Sequence, residues 1–104
     1  MPKKEPPFRS VATRYLRIEG SRAKVKVELS KPYPSKNDYG CDFRILYAGK
    51  MFRHAIYGVD EFQSLQLALR LLPTVLRHTA WLPIKKMYLH ELRDDLGFPE
   101  VMGK

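Results

Sequence analysis

The chain of 104 residues holds one cysteine, Cys41. A single thiol closes no intramolecular disulfide and builds no thiolate metal cage, so stability has to come from a packed core. Long apolar runs are missing too. Nothing approaches the roughly eighteen consecutive apolar residues that a membrane-spanning helix needs. The opening ten residues carry Lys3, Lys4, Arg9 and three prolines where a secretory signal would place an apolar block. Six glycines are scattered among turns, hinges and the C-terminus, which leaves no glycine-rich loop to cradle a phosphate. These absences lead to the expectation of a soluble, cytoplasmic protein with no membrane partner.

Acid is the next scarcity. Eleven Asp and Glu face nineteen Lys and Arg, for a formal charge of +8. Residues 1–57 hold thirteen basic and five acidic side chains, whereas residues 58–104 hold six of each. The excess therefore belongs to whatever the first half builds. The length suits one domain, and a hydrophobic fraction of 44% is that of a globular chain. The expected organisation is a basic, disordered leader over residues 1–10 and a single α+β domain over residues 11–104.

The first half reads as strands. From Ala12 to Glu19, Leu16 and Ile18 alternate with Thr13, Tyr15 and Arg17, and after a turn at Glu19–Arg22 the residues Ala23, Val25, Val27 and Leu29 alternate with Lys24, Lys26 and Glu28. Lys31–Gly40, with two prolines, Asn, Asp and Gly, has loop chemistry and reads as the least constrained interior segment. A second hairpin follows: Cys41, Phe43, Ile45 and Tyr47 share one phase, Ala48-Gly49-Lys50 turns, and Met51–Tyr57 places Phe52, His54 and Ile56 on one face. Two hairpins in succession make an antiparallel meander of four or five strands.

The period changes at Gly58-Val59-Asp60. Asp60 can cap a helix, and Gln63 can reach back in a capping-box arrangement. A helix is expected from Asp60 to about Thr79, packed across one sheet face. Its apolar stripe would be Phe62, Leu65, Leu69, Leu72 and Leu76, widened by Ala68, Val75, Leu67 and Leu71. That arc is broader than one sheet face covers, so Leu67 and Leu71 are expected to meet the C-terminal tail or a second copy in a homodimer. Pro73 should kink or end the helix. Ile84–Leu92 reads equally as a short helix or a fifth strand, and Asp94–Pro99 as a turn.

Gly58-Val59-Asp60, the run Gln63–Leu69 and the closing Asp95-Leu96-Gly97-Phe98-Pro99 together resemble a family of short bacterial proteins classed as a domain of unknown function. The resemblance spans most of the chain from the first strand onward and implies a fold and a bacterial origin. The chain departs from the family pattern at Pro73 and around Met87–Asp94, where a shorter strand with Trp and Gly would be expected. The resemblance implies no activity for any residue.

No sequence signature of catalysis is present, and an enzyme is not expected. His90-Glu91-Leu92-Arg93-Asp94 starts like a zinc-protease helix but ends in Asp with no close third ligand, so neither metal nor cofactor is expected. Cys41 and His54 share the inward phase of neighbouring strands, yet an inward Cys usually acts as a small hydrophobe. The outer sheet face is more suggestive. Tyr15, Arg17, Lys24, Lys26, Arg44, Arg53 and Tyr57 would share it, mixing cations with tyrosines. Such a face suits an inhibitor-like or immunity-like module that binds another protein, with a small nucleic-acid-binding module as the alternative. It is equally the composition of a merely solvated face, in which Glu19, Glu28 and Asp42 are interspersed.

Overall fold

A computed structural model describes residues 7–89. It contains six strands, one α-helix and a 3-10 turn: β1 (Ser10–Ile18), β2 (Lys24–Ser30), β3 (Tyr33–Pro34), β4 (Tyr39–Tyr47), β5 (Lys50–Gly58), α1 (Glu61–His78), the 3-10 turn Ile84–Lys86, and β6 (Met87–Tyr88). The sheet is antiparallel and open. Across its width β5 pairs β4, β4 pairs β2, β2 pairs β1 and β1 pairs β6, while β3 pairs the start of β4. This is the α+β meander read from the period-two pattern, with two short strands added.

Pairing register explains which residues share a face, since directly opposed side chains point the same way. Leu16 opposes Val25, Val27 opposes Ile45, and Ile45 opposes Phe52. These residues face α1, and Leu16, Val25, Phe43 and Ile45 are completely inaccessible. The β4–β5 hairpin closes through Ala48 (φ 53°) and Gly49 (φ 78°). A two-residue loop with both φ values positive matches the twist of the flanking strands, and Gly49 takes that conformation without strain whereas Ala48 does not.

The helix begins where its cap places it. Asp60 accepts a hydrogen bond from the Gln63 amide at 2.8 Å, and the Gln63 side chain accepts one from the Val59 amide at 2.7 Å. Its buried line is Ser64, Ala68, Leu72, Pro73 and Leu76. Phe62, expected in the apolar stripe, is instead 77% exposed. Gly58 supplies the reason, because a Cβ there would lie 2.6 Å from the Ser64 amide nitrogen. The first helical turn thus rests on the end of β5 through Ser64, and Phe62 is rotated outward.

Pro73 does not end the helix, which continues to His78. Proline inside a helix costs about 3 kcal/mol through its missing amide and ring clash. Beyond it, however, Leu76 is fully buried and Val75 packs on the core. Burying such side chains contributes roughly 1.5–3 kcal/mol each, enough to carry the helix through.

After α1 the chain returns to the opposite sheet edge. Leu82 and Met87 join the buried cluster, with Trp81, Ile84 and Leu89 packed against it. Met87 and Tyr88 pair Ile18 and Arg17, and the Glu19 amide donates to the Lys86 carbonyl at 2.8 Å. The region read as either helix or strand is therefore a 3-10 turn followed by a two-residue strand as far as Tyr88. The turn expected at Asp94–Pro99 lies outside the described residues.

Two substitutions test this account. Gly58→Ala should cost about 1–3 kcal/mol by forcing α1 off β5, and Ala48→Asn should add roughly 0.5–1 kcal/mol by relieving the left-handed residue in the hairpin loop. Urea unfolding of each variant measures both, and equal stability of Gly58→Ala and the parent would refute the close approach.

Candidate partner-binding surface

The outward phase of the sheet contains every residue expected there. Tyr15 opposes Lys26, Arg17 opposes Lys24, Arg44 opposes Arg53, and Tyr57 opposes Gly40. The structure divides this set into two groups with different electrostatics.

The central group is neutralised from within. Glu28 and Asp42 lie on the outward phase yet are only 5% and 3% exposed. The Arg44 Nε donates to Glu28 Oε1 at 2.6 Å, and the Lys26 Nζ stands 3.7 Å from Glu28 Oε2. The Arg53 Nε donates to Asp42 Oδ2 at 2.6 Å, while the Tyr33 hydroxyl donates to Asp42 Oδ1, also at 2.6 Å. Phe8 lies over both guanidinium groups, its ring centroid 4.2 Å from Arg44 and 5.3 Å from Arg53. Among the described residues no buried side-chain nitrogen or oxygen lacks a partner. Arg44 and Arg53 thus hold the fold's own carboxylates, and their charge adds little to an external field.

Two segments expected to be loose take part in this layer. The interior loop forms β3, in which Tyr33 and Pro34 pair Gly40 and Tyr39. Tyr33 lies so close over Gly40 that a Cβ there would meet its ring at 2.6 Å. From the leader, Phe8 covers the arginines and the Arg9 carbonyl accepts from the Lys31 amide at 2.8 Å. Sequence patterning shows an aromatic in a loop but not the carboxylate it will reach, because the two are brought together only by strand pairing.

The second group lies at one end of the sheet. Both hairpin turns, after Ile18 and after Tyr47, fall at this end because β2 and β4 are antiparallel with Lys26 opposite Leu46. Arg17, Arg22, Lys24 and Lys50 are all exposed there, as are Lys85 and Lys86 of the 3-10 turn. Glu19 is the single carboxylate at this end among the described residues. Lys24 stands 5.9 Å from the Tyr15 ring centroid. Arg17, Arg22, Lys24 and Tyr88 line one shallow depression, and Lys24, Lys26, Lys50 and Met51 line the next.

Cross-strand rows give this end its character. One row is Tyr88, Arg17, Lys24; the next is Tyr15, Lys26, Leu46, Met51. Tyr15 is 52% and Met51 56% exposed. Sequence reading identified Tyr15, Arg17, Lys24 and Lys26 but passed over Arg22, Lys50, Tyr88, Leu46 and Met51. A signal did exist for Leu46 and Met51: both are apolar residues in the polar phase of their strands.

Tyr57 lies at the far end, 50% exposed and next to Tyr33, so the structure does not bring it to the cationic end. Leu67 and Leu71 lie elsewhere, in a groove between α1 and β5. Cys41 and His54 both lie on the inward phase of their strands, but only Cys41 is buried and His54 is exposed. Cys41 is wholly buried and opposes Ile56, its thiol donating to the Ser30 carbonyl at 3.3 Å. Burial pushes that thiol up to about 11, which keeps it protonated and unreactive at neutral pH. His54 opposes Phe43 and stacks on Phe52 with ring centroids 6.0 Å apart. The described residues contain no group of three or more potential metal-ligating side chains, and no described helix is long and apolar enough to cross a membrane. The His90–Asp94 segment lies outside the described residues.

Burial and the Asp42 carboxylate together push the Tyr33 phenol far above its ordinary 10.0. Tyr33 and Cys41 must stay protonated in the fold while ionising near 10.0 and 9.0 when unfolded. Their contribution to stability is therefore complete below about pH 9 and is lost as pH rises beyond it. Thermal midpoints measured from about pH 8 to 11 should fall more steeply for the parent than for the double variant Tyr33→Phe, Cys41→Ala. Parallel profiles would remove both groups as the cause.

No curated protein and no solved structure matches the chain. A family model does match, over residues 12–100, a span that runs from the third residue of β1 through the helix and past β6. The chain belongs to the family described as a domain of unknown function, DUF6968.

Proposed function

We propose that this protein is a non-enzymatic binding module, inhibitor-like or immunity-like, of bacterial cytoplasm, and that it grips an acidic surface of another protein with the hairpin end of its sheet. The observation that carries this reading is the pair of cross-strand rows, Tyr88–Arg17–Lys24 beside Tyr15–Lys26–Leu46–Met51. Tyrosine, arginine and methionine are the side chains that protein interfaces favour. Exposed cations around them speed encounter with an acidic partner and set its orientation. Arg44 and Arg53 serve this surface indirectly, as the pairs that keep the sheet behind it rigid.

A second reading is favoured by a specific feature, the alternation of Tyr15 and Tyr88 with Arg17 and Lys24. Tyrosines on a sheet can stack bases while cations hold phosphates, as in single-strand binding. Leu46 and Met51 speak for protein, since they offer neither a stacking plane nor a charge.

The test uses the purified chain as bait in lysate of its source bacterium, beside Arg17→Glu with Lys24→Glu. A partner recovered in stoichiometric amount by the parent and lost with the variant is the expected result. In parallel, single- and double-stranded nucleic-acid probes are titrated at low salt. Affinity that falls linearly on a log-log salt plot, with no protein recovered, would overturn the protein reading in favour of the second.

A further inference from the structure

Two pairs of like charges stand directly opposite each other across strands of this sheet. Arg44 opposes Arg53 between β4 and β5, and Arg17 opposes Lys24 between β1 and β2. Like charges in that relation destabilise a sheet. The fold offsets the first pair from within, since the buried Glu28 and Asp42 each hold one guanidinium at 2.6 Å. It does not offset the second. Among the described residues no carboxylate pairs with Arg17, Lys24 or their neighbour Arg22, and all three are exposed.

These three cations meet in one shallow depression with Ser21 and Tyr88, and no acid lines it. The β1–β2 turn fixes its rim. The Ser21 amide donates to the Ile18 carbonyl at 3.1 Å around Gly20, whose φ of 77° the turn requires. The Ser21 hydroxyl oxygen then accepts the Ala23 amide at 3.0 Å, which holds Arg22 between them and leaves the hydroxyl proton to be donated. Glu19 belongs to the same turn but does not line the depression.

The donors select the chemistry of the occupant. A carboxylate is satisfied by one bidentate arginine, and a phosphodiester carries a single charge. A phosphomonoester has three terminal oxygens and a charge of about −1.5 to −2. Two guanidinium groups, an ammonium and a hydroxyl match the last of these. A free small molecule is usually bound with most of its surface buried, which a shallow depression does not provide, so the group has to be presented on something larger. Leu46 and the exposed Met51 in the adjoining row favour a protein as the carrier.

We infer that the acidic feature gripped at the hairpin end is a phosphorylated side chain of the partner protein, its phosphomonoester seated among Arg17, Arg22 and Lys24. This rests on the protein-binding reading above and names the group that is recognised. The repulsion between Arg17 and Lys24 is then relieved by the ligand, as Glu28 and Asp42 relieve it for Arg44 and Arg53.

The experiment titrates the full-length chain with a short peptide carrying one phosphoserine, and with the same peptide carrying Ser or Glu in its place, followed by NMR amide shifts. The phosphoserine peptide should bind about tenfold or more tightly than the Glu peptide and should move the amides of Ser21–Lys24. Arg17→Gln with Lys24→Gln should lose that binding, whereas Lys31→Gln with Lys36→Gln, which removes the same charge elsewhere, should retain it. At low salt the Arg17→Gln, Lys24→Gln variant should melt at or above the temperature of the parent, because the opposed charges are gone. A lower midpoint would make the two cations structural and overturn the inference. So would equal binding of the Glu peptide, or no binding of the phosphoserine peptide at low salt, as expected if a carboxylate of the chain itself takes the site. A protein partner that phosphatase treatment does not release would overturn the inference while leaving the protein-binding reading standing. An oligonucleotide that binds equally with and without a terminal phosphate, and displaces the phosphoserine peptide, would overturn both.

Discussion

Two carboxylates buried beneath the outer face of the sheet, Glu28 and Asp42, constrain everything around them. Each is held by one guanidinium at 2.6 Å, from Arg44 and Arg53 respectively. Removing one partner from a buried pair generally costs about 3–5 kcal/mol, because the remaining charge is stranded away from water. The four residues come from β2, β4 and β5, so the pairs tie three strands together across their width. They also protect register. A slip by one residue would turn Glu28 or Asp42 toward the Leu16, Val25, Phe43 and Ile45 core, where no counter-charge waits.

This ionic layer makes the sheet two-sided in an unusual way. The inner face is covered by α1 and by the returning segment through Leu82 and Met87. The middle of the outer face is covered by Tyr33 and Phe8. Among the described residues, the hairpin end carries no such cover. The close approach of Gly58 and Ser64 sets where the helix begins on β5, and Leu67 and Leu71 further along α1 line a groove with Ile56.

Charge follows the same division. A basic sheet face would be the simple reading of a first half rich in Lys and Arg, but the arginines at its centre are occupied by the protein's own acids. The exposed cations at the hairpin end are Arg17, Arg22, Lys24 and Lys50 at the turns, with Lys85 and Lys86 nearby, while Arg9, Lys31 and Lys36 are exposed elsewhere. Charges gathered at one end, next to exposed Tyr15 and Met51, give an oriented surface, whereas the same charges spread evenly would give only solubility.

Sequence alone determined the alternation of the four long strands, their order as consecutive hairpins, the Asp60 cap and the helix that follows, because each depends on residues near one another in the chain. It also placed Tyr15, Arg17, Lys24, Lys26, Arg44 and Arg53 on one face, since period-two alternation needs no partner to be read. Only tertiary structure decided which of those cations are spent inside the fold. The Arg44–Glu28 pair is sixteen residues apart and the Arg53–Asp42 pair eleven, and neither is visible until strand register sets them opposite. Tertiary structure also carried α1 through Pro73, turned Phe62 to solvent and folded the proline-rich loop over Asp42. In each case burial against a distant element outweighed a local preference worth only a few kcal/mol.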